Sequence, residues 1–168
     1  MELILFILVC ILQPICWPLP EMTTVLYGVT VYGQLKGFII SYIGILFGIV
    51  LMYKLSFYMS DKHLKKFRSK KEFKKFQNYM QKNEILTIGV LLILPILPDE
   101  VICIGAAILG IKLKVLLTIA LFSKFISIGI IAYAETIANY FEISNILVVI
   151  IELIIVVIIS IIYKKIKK

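Results

Sequence analysis

The stretch Pro95-Ile-Leu-Pro-Asp-Glu-Val-Ile-Cys-Ile-Gly105 decides how the rest of the chain is read. It lies inside an apolar run from Ile85 to Ile111. Pro95 and Pro98 lack a backbone N–H, and each restricts the residue before it, so a helix stops or kinks there. Asp99 and Glu100 follow at once. In lipid, such a break is tolerated only where protein or a wet cavity surrounds it, and an ionisable side chain at that depth marks a functional site. The apolar pieces on either side of the break are too short to cross a bilayer singly, since a span takes about 20 residues. They read as the arms of a re-entrant helical hairpin, with one kinked span as the alternative.

A looser copy stands near the start: Pro18-Leu-Pro20-Glu21, then Gly28. Each broken, acid-bearing segment is followed by a glycine, Gly28 or Gly105, and then by a long apolar helix. That order implies an internal duplication. Met22 to Tyr32 is apolar but too short to span. A second re-entrant hairpin over 18–36 fits, with Glu21 at its bend or mouth; an interfacial loop that leaves Glu21 in water is the alternative.

The composition agrees with a membrane domain. Of 168 residues, 61% are hydrophobic, which no ordinary soluble domain shows. The net charge of +8 is uneven: nine of the 18 Lys and Arg fall between Lys62 and Lys82, and four more in the last five residues. These clusters flank apolar spans and read as cytoplasmic anchors facing anionic lipid, not as a nucleic-acid surface. Cys10, Cys16 and Cys103 all lie in apolar runs and read as small buried hydrophobes, and the single histidine, His63, leaves no zinc ligand set. No cofactor, no metal and no nucleophile–base pair is expected, so an enzyme is the weakest class.

The spans follow. Glu2 to Trp17 reads as a short first span ending at an interfacial tryptophan. Gly37 to Met59 is a clean span of 23 residues, in which Gly44 and Gly48 allow close helix packing and Lys54 can snorkel. Ser60 to Glu84 is a basic interfacial segment. Its Phe73, Phe76 and Met80 fall on one side of a helix, as in a helix lying on a membrane surface. Leu113 to Ala134 is a span with Lys124 near its middle. A mid-membrane lysine costs about 2.5–3.5 kcal/mol on insertion scales and needs a partner. Glu21, Asp99, Glu100 and Glu152 are the candidates, for a structural ion pair or a transport role. Residues 135–145 read as a short acidic loop and 146–163 as the last span.

With 60–84, Lys112/Lys114 and the C-terminus all cytoplasmic, 85–111 must enter and leave from the inside, and the first hairpin must dip from the outside. The expected fold is therefore an all-α polytopic membrane protein: two opposed re-entrant hairpins in an inverted repeat, plus about four transmembrane helices, forming one membrane domain over 1–168.

At this point the chain resembles the DedA/VTT membrane family, once called SNARE-associated Golgi proteins. The matching residues are Pro18-Leu-Pro20-Glu21, the glycines Gly28, Gly33, Gly37, Gly44 and Gly48, Tyr53, and Pro95-Ile-Leu-Pro98-Asp99 with Gly105, over about 17–135. The resemblance implies a pair of opposed re-entrant loops and movement of phospholipids or polyprenyl-phosphate lipids between leaflets, with dependence on acidic and arginine residues and on the proton gradient. Two family arginines are replaced, by Phe57 and Leu92. Lys54 or Lys124 could compensate, although lysine lacks the planar fork of arginine.

The function expected is a lipid flippase or scramblase of a bacterial inner membrane. Glu21 and Asp99, with Glu100, would share a cavity between the hairpins. Desolvation favours the protonated form of a carboxyl group, which suits proton coupling. Lys124 would pair with an acid or meet a lipid phosphate. Membrane lipids and protons are the expected partners, without nucleic acid, and a homo-oligomer is left open. The rivals are a small-ion or solute transporter using the same cavity, and a non-transporting assembly protein.

Overall fold

The computed structural model describes residues 2–15, 20–59, 61–80, 83–94 and 97–140. Pro18, Pro95, Cys16, Trp17, Glu152 and the expected last span over 146–163 lie outside the described residues. All described elements are helices: α1 (Glu2–Leu12), α2 (Glu21–Tyr32), α3 (Gln34–Ser56), α4 (Asp61–Ser69), α5 (Lys71–Met80), α6 (Glu84–Ile93), α7 (Asp99–Ile108) and α8 (Leu113–Tyr140). Among them, α3 and α8 are long and apolar enough to cross a bilayer. The chain divides into two units, 1–132 and 133–168. The second is described only over Tyr133–Tyr140, the last turns of α8; the contacts below belong to the first.

Helices α3 and α8 run antiparallel along their lengths. Tyr53 donates its hydroxyl to the Ile111 carbonyl at 2.6 Å, Tyr42 to Leu121 at 2.9 Å, and the Gln34 amide to Ala132 at 3.2 Å. Between Tyr42 and α8, Phe125 packs edge-on against Phe38 and Tyr42.

Two helical hairpins attach to this pair from opposite ends. In the first, α2 turns into α3 at Gly33, whose φ of 82° is a conformation that side chains disfavour. The two helices then touch backbone to backbone, because a Cβ on Gly37 would overlap the main chain at Gly28 and Val29. Helix α1 lies along α3 in the same direction: Gly44 meets Cys10 and Gly48 meets Pro14. In the second hairpin, α6 runs with α8, Gly89 facing Ile119 and Ser123. After the break, α7 returns and turns toward α8 at Gly110, φ 78°. The Gly33 turn sits beside the Gln34–Ala132 contact, and the Gly110 turn beside Tyr53, at the other end of α3.

Several expectations are corrected. The first span is not a span: α1 has 11 residues, about 16 Å at 1.5 Å per residue, against about 30 Å of hydrocarbon. Gln13 and Pro14 follow in a turn, where proline cannot extend the helix. Residues 21–32 form one unbroken helix with Glu21 at its start, and the chain reverses only at Gly33 into the long α3, so two short hairpin arms within 18–36 are not found; the short helix that pairs with α2 is α1. The next span begins at Gln34, because the Gly33 turn releases it early. Residues 135–140 continue α8, as nothing there breaks a helix.

The basic segment also differs. Its two helices do not offer an apolar face to lipid: Phe73, Phe76 and Met80 are buried, and Phe76 fills the space that a side chain at Gly105 would need. Gly105, having no side chain, accepts an aromatic ring from α5, so the aromatic stripe is part of the protein core and the lysines face outward.

Candidate functional site

Both hairpins place an acid at the same local position. Pro20 precedes α2 with φ −61° and ψ 135°, and Pro98 precedes α7 with φ −60° and ψ 141°. Proline suits a helix start because its missing N–H would be unpaired there anyway. Neither residue offers a side-chain cap. Instead the first helical residues are Glu21 and Asp99, whose negative charges complement the positive ends of the two helix dipoles.

These two helix starts meet on Lys124. Its ammonium donates to Glu21 Oε2 at 2.5 Å and lies 2.7 Å from Asp99 Oδ2. Ser127, one turn further along α8, donates to the other oxygen of Glu21 at 3.2 Å. Lysine and serine three apart share a helix face, so one stripe of α8 serves the acid from α2. Burial is unequal: Lys124 is 1% exposed, against 20% for Glu21 and 14% for Asp99. The lysine is sealed, while the two acidic side chains are only partly buried. Two carboxylates and one ammonium leave the cluster one negative charge in excess when all three are ionised.

The other candidates lie elsewhere. Glu100 turns away to Lys70, 3.7 Å off, at the α4–α5 junction, where Lys70 also stands over the Phe67 ring. Lys54 is exposed in the last turn of α3 and takes no part in the cluster. Gly28, Gly44, Gly48 and Gly105 serve close packing, against Phe6, Cys10, Pro14 and Phe76. Of the two positions that replace family arginines, Phe57 is exposed beyond α3 and Leu92 is packed in the core. Sequence reading passed over Ser127 and Lys70. Ser127 carried one legible signal, its spacing from Lys124; Lys70 carried none among so many lysines.

The sequence profile of the VTT domain matches residues 19–136, from just before Glu21 into α8 past Lys124. The chain belongs to the DedA/VTT family. Both helix starts and the lysine that joins them fall inside the matched VTT domain. This is not a known enzyme family; it is membrane-associated, with a proposed lipid-related or transport role. No curated protein and no solved structure matches the chain.

Proposed function

We propose that this VTT-domain protein is an integral membrane lipid transporter, a flippase or scramblase, whose two hairpins re-enter the bilayer from opposite faces. The observation that carries the reading is the bridge by Lys124 between the acids at the two hairpin starts. The arm lengths support it. Helices α1, α2, α6 and α7 have 11, 12, 10 and 10 residues, about 15–18 Å each, or half of a ~30 Å hydrocarbon core. Two such hairpins attached at opposite ends of α3 meet tip to tip near the midplane. The repeated order of proline, acid, positive-φ glycine and long helix supports an inverted repeat. On this reading the basic segment and the Gly110 turn face the cytoplasm of a bacterial cell.

The cluster acts as the gate. With both acids ionised, Lys124 ties the hairpins together. Protonation of one carboxylate removes its charge and weakens that tie, so opening a path between hairpins is coupled to protons. Lys124 supplies the cation that Phe57 and Leu92 do not.

Purified protein in liposomes, with labelled lipid followed between leaflets, tests the reading. Wild type is expected to exceed protein-free vesicles, and Glu21→Gln with Asp99→Asn, which imitates permanent protonation, to speed movement about tenfold and remove its dependence on pH. Wild-type movement no faster than in empty vesicles rejects lipid transport, and an unchanged double variant rejects the acidic gate. A second reading, cation transport through the same site, is favoured by the excess carboxylate; it predicts ion flux without lipid movement.

A further inference from the structure

Helices α4 and α5 carry more positive charge than their own stability favours. Lys65, Lys66 and Arg68 on α4 and Lys71, Lys74 and Lys75 on α5 are all exposed, and Glu72 is the one exposed acid between Lys65 and Lys75. Lys70, at the junction, reaches Glu100; among the described residues no carboxylate pairs with the other six cations. Lys71 stands three residues from Lys74 and four from Lys75, the spacings at which like charges on one helix repel. An anion lying across this face would relieve that repulsion.

The direction of the face follows from what the opposite side touches. Phe73, Phe76 and Met80 are buried, Phe76 in the space beside Gly105. At about 100° per residue, Lys71, Lys74 and Lys75 fall on the far side of α5. Thr87 of α6 donates to the Tyr79 carbonyl at 3.0 Å. Thr87 and Gly105 each lie within one turn of the Glu84 and Ile108 ends of the second hairpin. On the membrane reading those ends stand at the cytoplasmic boundary, so α5 lies at headgroup depth with its lysines turned away from the protein.

We propose that α4 and α5 form a docking surface for the anionic headgroups of the adjoining leaflet, and that Phe76 passes their presence on to α7. Clustered Lys and Arg beside a membrane segment attract anionic lipid, each adding to the binding. A protein partner would need apolar anchors for the core of its interface, and here Phe67, Phe73, Phe76 and Met80 are all turned inward. A layer of headgroups needs charge alone. Helix α7 begins with Asp99, so whatever steadies α7 against α5 also steadies its tie to Lys124. The inference takes its setting from the membrane reading but does not require that lipid be transported.

Hydrogen exchange over α7 tests it, with the full chain in phosphatidylcholine nanodiscs with and without phosphatidylglycerol. Phosphatidylglycerol is expected to slow exchange in α7 about tenfold, and less in high salt. Lys71→Gln with Lys74→Gln and Lys75→Gln, three exposed changes that leave the core untouched, should abolish the slowing. Lys112→Gln with Lys114→Gln, exposed cations outside α4 and α5, should keep it. Phe76→Leu should still retain phosphatidylglycerol in native mass spectrometry yet lose the response in α7. Exchange that ignores phosphatidylglycerol in wild type overturns the proposal, as does slowing that survives the triple variant or Phe76→Leu. Equal slowing in phosphatidylcholine discs by added poly-glutamate or inorganic phosphate assigns the surface to a soluble anion and overturns it too. Lipid movement is read in none of these arms, so this inference and the transport reading can each fail without the other.

Discussion

The two hairpins begin alike and end in different surroundings. Each returning arm starts with proline and an acid and leaves through a positive-φ glycine, yet α7 is enclosed and α2 is not. Val101 to Ala106 are six consecutive buried residues, whereas α2 buries only Thr24, Val25 and Gly28. The second hairpin has α5 behind it, with Phe76 over Gly105 and Lys70 on Glu100. Along its open side the first has a groove. The same local instruction thus yields a backed, fixed arm and an arm with a free face.

The largest break in this comparison comes from the residue that joins the two. Lys124→Met leaves two partly buried carboxylates facing each other without a cation. The expected loss is about 3–5 kcal/mol, as for other buried pairs cut on one side. Thermal unfolding in detergent measures it, and Glu21→Gln with Asp99→Asn on that background should restore most of the loss. If the single variant melts with wild type, the hairpins are held by something other than the cluster.

Glycine substitutions separate the two arms more finely. A methyl at Gly37 would meet the main chain of α2, which cannot rotate away, and one at Gly105 would meet the ring of Phe76. Both Gly37→Ala and Gly105→Ala are expected to cost about 1–3 kcal/mol. Only the second should be rescued by trimming its neighbour, Phe76→Leu. Rescue of neither would mean that α5 does not back α7 as described.

The smallest effect is expected at the outer charge pair. Lys70 is 45% exposed, and such ion pairs contribute about 0–1 kcal/mol, less in high salt. Lys70→Ala should barely move the melting temperature. A large shift would show that the backing of α7 depends on the Glu100 contact as well as on Phe76.

How far the chain could be read without coordinates varies by feature, for physical reasons. The breaks at Pro20 and Pro98 were plain, because proline acts on its own backbone. So was the need of Lys124 for a partner, since an unpaired cation in an apolar helix is costly wherever it lies. The arms of the first hairpin were misplaced because the chain is apolar from Leu3 to Leu12 and beyond: composition does not reveal where so short a helix ends. The aromatic face of α5 was given to lipid because amphipathic spacing is the same whether the covering surface is acyl chains or Gly105.

By itself, then, the sequence determined an all-helical membrane protein, two proline-led acids and a lysine that had to be neutralised. Each of these is dictated within a few residues by backbone chemistry or desolvation. Only the tertiary structure decided which acids the lysine takes. Glu21 and Asp99 lie 103 and 25 residues away from it, and Glu100, one residue from Asp99, turns to Lys70 instead. One step along a helix rotates a side chain by about 100°, so which carboxylate faces inward is set by how the hairpins pack, not by how near they lie in the chain.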